Sequence, residues 1–170
     1  MSQNHSPLPG QPHIVRDGDV LKVEQLSLEA LAREHGTPLF VYSRQWMLDA
    51  LAAYQRGFEG RDSLICYAMK ANSSLGVLRV FVQAGCGFDI VSGGELARAL
   101  AVGADPAKII FSGVGKTRAE MRQALAAGIG CFNVESEEEL DVLSEVAVAQ
   151  GRRAPVSIRI NPNVDPKTHP

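Results

Sequence analysis

The stretch CGFDIVSGGELARALAVGADPAKIIFSGVGKT, residues 86–117, decides the fold. Its first run, 87–91, is apolar apart from Asp89 and has the length of a strand. Ser92 stands three residues before Glu95, the spelling of a capping box, so a helix is expected over 93–102. Gly103 follows where a left-handed C-cap calls for glycine. A second apolar, β-branched run, 108–112, gives another strand, and Thr117 with Glu120 opens the next helix. Strand, helix and strand joined by connections this short form a right-handed unit with parallel strands.

The same beat continues on both sides. Strand 64–69 leads to helix 74–84, strand 108–112 to helix 117–127, and strand 130–134 to helix 136–150, which Ser136 and Glu139 open with a third capping box. Strand 156–160 follows. Gly85, Gly128 and Gly151, like Gly103, stand just past a helix. Upstream, HIVRDGDVLKVEQL, 13–26, reads as a hairpin turning at Asp17-Gly18. Ser27 caps a short helix that Gly36 and Pro38 stop; LFVY, 39–42, reads as a strand; Ser43 caps a helix offering Trp46, Leu51 and Tyr54 to a core. Two α/β architectures fit: an open doubly wound sheet and a (β/α)8 barrel.

Composition narrows the function. At 170 residues, 45% hydrophobic and 21% charged, the chain can bury a real core. A net charge of -2 gives no surface for nucleic acid or an anionic membrane. No apolar run reaches the roughly 20 residues of a membrane helix. The opening MSQNHSPLPGQPH is polar and Pro-rich, without the basic and apolar regions of a signal peptide, so a flexible tail of a cytoplasmic protein is expected. Cys66, Cys86 and Cys131 share no CxxC spacing and read as reduced core thiols.

Both architectures place chemistry at the carboxyl ends of the strands. Those ends carry Lys70, Asp89 with Ser92, Ser112 with Gly113, Asn133 with Glu135, and Arg159 with Asn161. A lysine there, stripped of water, becomes a nucleophile towards a carbonyl. The same lysine could instead keep a strand edge soluble, and Asp89 and Glu95 could be loop and capping carboxylates. Arg159, flanked by Ile158 and Ile160, must face a partner or reach solvent. FSGVGKT, 111–117, ends in Gly-Lys-Thr, but a phosphate loop would need glycine at 110, where Ile110 stands. VSGGE, 91–95, is no dinucleotide fingerprint; its glycines either leave amides for an anion or allow close packing of helix on strand.

The strings YAMKANSS (67–74), GCGFDIVSGGELARAL (85–100), IIFSGVGKTRAEM (109–121), GIGCFNVESEEEL (128–140) and VSIRINPNVDPKTHP (156–170) closely resemble the diaminopimelate decarboxylases. These are pyridoxal-phosphate enzymes of the alanine-racemase-like barrel group. YAMKAN marks the wider group; FSGVGKT with FNVES points to this family within it. The resemblance implies a (β/α)8 barrel, incomplete here at about five strands, whose N-terminal segment belongs to a second β-domain. Residues 1–12 would be the tail, 13–42 the segment abutting the β-domain, and 43–170 the partial barrel. It implies that Lys70 is catalytic and holds pyridoxal 5'-phosphate through its amine. Asp89, Glu95 and Arg159 would lie beside that cofactor. His169 receives no role, and no histidine spacing suggests a metal.

By the same resemblance the protein is a carboxy-lyase that converts the amino acid meso-2,6-diaminopimelate into L-lysine. It would do so as a homodimer at full length, without nucleic-acid or membrane partners. The family's Gly-rich phosphate loop and substrate arginines lie beyond Pro170, so the 170-residue chain by itself is expected to show little or no turnover. Two other readings remain open: a barrel fragment without catalysis that needs a missing half, and another amino-acid decarboxylase or racemase of the same barrel group.

Overall fold

The structure, a computed structural model, describes residues 5–8, 10–162 and 164. The chain divides into two compact units, Met1–Arg61 and Asp62–Pro170.

The first unit holds an antiparallel sheet of β1 (His5–Leu8), β2 (Gln11–Asp17), β3 (Val20–Val23) and β4 (Leu26–Ser27), in that order. The expected tail thus contains a strand: His5 pairs with Asp17 and Pro7 with Val15. Composition missed it because an antiparallel edge is made by main-chain bonds, which polar and Pro-rich side chains do not announce. The hairpin turns one residue later than expected. Asp17 pairs with Val20, so Gly18 and Asp19 form the loop, with Gly18 at φ +62.

Ser27 accepts from the Ala30 N–H and caps α1 (Leu28–His35); Ser43 accepts from the Trp46 N–H and caps α2 (Arg44–Gly57). Of the three side chains offered to a core by α2, only Leu51 is buried; Trp46 and Tyr54 are exposed. LFVY, 39–42, is not a strand. Its apolar residues suit a ladder, but no described strand pairs with it, and Phe40 is 83% exposed. Glu24, at φ 53, accepts from Ser43 Oγ at 2.7 Å and the Gln45 N–H at 2.8 Å. The Gln45 amide first, then the Ser43 hydroxyl, hold its carboxyl below the ordinary value. These bonds tie α2 to the first unit, although the sequence reading assigns residues from 43 onward to the barrel.

The second unit is a parallel sheet of β5 (Cys66–Ala68), β6 (Gly87–Ile90), β7 (Ile109–Phe111), β8 (Cys131–Val134) and β9 (Val156–Ile158). Between them run α3 (Leu75–Gln83), α4 (Gly93–Ala101), α5 (Arg118–Ala127) and α6 (Glu137–Ala149). Spatial order equals chain order. A doubly wound sheet reverses at a switch point; this sheet does not, which selects the barrel winding. The unit is five strands of a (β/α) barrel.

The strands alternate as a barrel requires. Phe88, Ile90, Ile109, Phe111 and Phe132 are buried, and truncating any one of the phenylalanines would cost roughly 3–5 kcal/mol. Phe111 and Phe132 stack at 6.1 Å, and Tyr67 stacks at 4.2 Å on Phe81 of α3, so this layer faces the helices. The alternate residues Ala68, Asp89, Ile110, Ser112, Cys131 and Asn133 are half-buried on the other face. All four helices end alike. The N–H of Gly85, Gly103, Gly128 or Gly151 and that of the next residue close back onto the last turn.

The three expected capping boxes differ. Thr117 and Glu120 form the reciprocal pair. Ser92 and Ser136 accept from the N–H of Glu95 and Glu139, but those carboxylates reach one residue further back, to the N–H of Val91 at 2.7 Å and Glu135 at 3.1 Å. Their serines are fully extended, at φ -158 and -152, which brings the preceding amide within reach instead.

Candidate active site

The carboxyl ends of β5 to β9 share one rim, because all five strands run the same way. Lys70 is two residues past β5, the middle of a single 3₁₀ turn, Met69–Ala71, rather than the last residue of the strand. The turn forms because Tyr67 donates its hydroxyl to the Asn72 carbonyl at 3.2 Å, while Asn72 Oδ1 accepts from the Ser74 N–H at 2.9 Å. Met69 is fully buried, which anchors the turn, and Lys70 is exposed. Its amine has no hydrogen bond or ion pair among the described residues. The amine is therefore unengaged, but it is not stripped of water as the strand-end reading expects, because the side chain lies past the end of β5 on an exposed turn.

Asp89 lies on β6 beside Ala68 of β5. Its Oδ1 accepts from Ser112 Oγ at 2.5 Å, and that oxygen accepts from Asn133 Nδ2 at 2.9 Å. Glu95 sits close by in the chain, but its carboxylate is bound to the Val91 N–H, so it fixes the β6–α4 junction. Arg159, just past β9, donates to Glu135 at 3.0 Å and is 64% exposed, satisfying both conditions set by its apolar neighbours. Glu135 also accepts from the Gly113 N–H at 3.1 Å. His169 lies outside the described residues.

The lysine of FSGVGKT has a role that the sequence reading missed. Lys116 donates to the Gly113 carbonyl at 2.6 Å, the Asn133 carbonyl at 2.7 Å and Glu139 at 2.6 Å, and its side chain is 0% exposed. All three of its protons are used, leaving none for a phosphate. The knot joins Gly113 and Lys116 of FSGVGKT to Asn133 of FNVES and to Glu139 of α6. The signal was a lone lysine in a Gly-rich loop, matched by Glu139 in the first turn of α6.

The helix start at VSGGE is likewise occupied. Gly93 donates its N–H to Glu120 at 2.8 Å, so the expected anion contact meets a carboxylate there. A Cβ on Gly93 would lie 3.0 Å from Glu120 Cγ and 3.1 Å from Gln123 Oε1, so the close approach at this glycine is to α5 rather than to the strand. A hollow of about 220 Å³ lined by Leu125, Ile129, Arg152 and Pro155 lies at the opposite, amino-terminal rim and is no part of this site.

Burial pushes the Cys66 thiol, beside Asp89, up to about 11. At pH 8 roughly a thousandth of it is thiolate, so in the native protein iodoacetamide should modify Cys66 far more slowly than a free thiol; equal rates would contradict the burial. The unfolded thiol ionises near its ordinary 9.0 and the folded one near 11, so this group lowers stability as pH rises across that window.

Among the described residues no group of histidine, cysteine and carboxylate could hold a metal ion, and no helix is long and apolar enough to cross a membrane. Pyridoxal phosphate is a better chemical match. An amine without a partner, a carboxylate with one uncommitted oxygen and an arginine share the rim, as an aldehyde-bearing, charged cofactor needs.

The chain is 54% identical over 155 residues to the diaminopimelate decarboxylase of Pseudomonas aeruginosa, an alignment covering 91% of this chain and 37% of that protein. The crystal structure of diaminopimelate decarboxylase from M. jannaschii superposes with a TM-score of 0.89 at 36% identity, over 95% of this chain and 39% of that one. The Helicobacter pylori diaminopimelate decarboxylase, solved with L-lysine, superposes with a TM-score of 0.81 at 47% identity, over 84% and 36%. The chain thus spans little more than a third of the relatives it matches. Residues 46–170 match the family model described as pyridoxal-dependent decarboxylase, pyridoxal binding domain. The chain belongs to the pyridoxal-dependent decarboxylases, and its residues 46–170 lie in their pyridoxal-binding domain.

Proposed function

We propose that the protein carrying this chain decarboxylates meso-2,6-diaminopimelate to L-lysine with pyridoxal phosphate. The observation that carries the reading is the partnerless amine of Lys70 on the rim of a pyridoxal-binding domain. The 54% identity to a diaminopimelate decarboxylase and the likeness to a relative solved with L-lysine favour this substrate over ornithine or arginine.

When bound, the cofactor takes up the electron pair left as carbon dioxide departs. Lys70 would be the residue that holds the cofactor, through its amine, and its Nζ would carry a proton at the rim. Asp89 offers Oδ2 to the bound cofactor. Arg159 supplies a cation at the far side of the rim, steadied by Glu135. Glu95 keeps the segment after Asp89 in place through Val91. Residues 13–42 contribute to a β-domain, and the whole enzyme works as a homodimer in the cytoplasm. The test is lysine formation from meso-2,6-diaminopimelate by the full-length protein, with ornithine and arginine as controls. Lysine should appear and neither control be consumed at a comparable rate; turnover of a control instead would overturn the substrate.

A further inference from the structure

We propose that Ser112 and Asn133 form a positioning relay that aims Asp89 at the bound cofactor, a proposal that rests on the function above. The relay crosses three neighbouring strand ends, from β8 to β7 to β6. Its direction is set by chemistry. The Asn133 amide nitrogen can only donate, so Ser112 Oγ accepts there at 2.9 Å and spends its one proton on Asp89 Oδ1 at 2.5 Å. Bonds aligned in this way strengthen one another. Asp89 Oδ2 is left without a hydrogen bond among the described residues, on the half-buried face.

Both relay residues are held at the backbone. The Ser112 N–H donates to the Ile90 carbonyl at 2.8 Å, and the Asn133 carbonyl accepts from Lys116 at 2.7 Å. Asp89 itself pairs with Ala68, two residues before Lys70. A carboxylate on this rim could rotate freely about its last bond. The relay fixes Oδ1, and with it the direction in which Oδ2 meets a donor or cationic group of the bound molecule. Ser112 and Asn133 therefore act through Asp89 and need not touch the cofactor.

The experiment is a double-mutant cycle read by the affinity of the cofactor-free, full-length protein for pyridoxal phosphate, together with the absorbance spectrum of the loaded protein. Ser112→Ala should weaken binding about tenfold, the scale of a hydrogen bond to a charged group, and shift the spectrum. Ser112→Thr keeps the hydroxyl and should restore both. Asn133→Ala, which leaves the carbonyl to Lys116 intact, should have a smaller effect of the same kind. In an Asp89→Asn background, neither Ser112→Ala nor Asn133→Ala should weaken binding further. Full additivity with Asp89→Asn, or unchanged affinity in Ser112→Ala, would overturn the relay while leaving the function standing. Failure of the wild-type protein to bind pyridoxal phosphate at all would overturn both.

Discussion

Replacing Lys116 by methionine is expected to destabilise the full-length protein by about 3–5 kcal/mol, the scale for removing one partner of a buried ion pair. Methionine nearly matches the stem in volume, so the loss is electrostatic. Glu139, 9% exposed, would lose its counter-ion, and the carbonyls of Gly113 and Asn133 would each lose a donor. A buried charge left alone costs far more than the pair itself contributes. Glu139→Gln in the same protein removes that orphan charge while keeping an acceptor for the Glu135 N–H. The double variant should therefore be more stable than Lys116→Met alone. Thermal or urea unfolding followed by circular dichroism reads both. A loss below about 1 kcal/mol, the value of an exposed pair, would show that the lysine is solvated.

Lys70→Ala should leave the fold intact and abolish covalent capture of pyridoxal phosphate. The side chain is exposed and has no partner among the described residues, so its removal breaks no contact there. Turnover of diaminopimelate should fall by about 10³-fold, within the range for losing a positioned proton carrier, before the loss of the covalent anchor is counted. The two lysines are thus expected to behave oppositely: one variant unfolds easily and the other folds but is inert. Unchanged turnover in Lys70→Ala would end the proposed mechanism.

The contrast also marks how far the sequence could be read. The alternation of short apolar runs with helices predicted every described strand and α-helix of the second unit to within a few residues, because most boundaries are written locally, in a serine or threonine cap and a glycine stop; Ser74 before α3 makes no such cap bond, and the two 3₁₀ turns carry no such signal. It could not choose between the barrel and the doubly wound sheet; that rests on the order of the strands, which no local signal carries. The first unit was read less well for the same reason. His5–Leu8 is a strand through its partner's backbone, and LFVY is not one, because no described strand pairs with it.

At the site, counting to the strand ends put Lys70, Asp89 with Ser92, Ser112 with Gly113, Asn133 with Glu135 and Arg159 with Asn161 on one rim; the parallel sheet sets those five strand ends side by side, with Lys70 in a turn beyond its strand. The partners were not legible. Nothing in Gly-Lys-Thr says that the lysine turns inward to two carbonyls and a glutamate from the next strand and helix, or that Glu120 reaches across to Gly93. Such bonds depend on distances between elements, which spacing along one chain does not encode.

In the proposed function the reacting amine belongs to residue 70. Full-length protein incubated with pyridoxal phosphate, reduced with borohydride, digested and mapped by mass spectrometry tests it most directly. The pyridoxyl mass is expected on the peptide containing Lys70, with Lys116, whose amine is enclosed and fully bonded, unmodified. A label on Lys116, or a reduced adduct anywhere but Lys70, would contradict it.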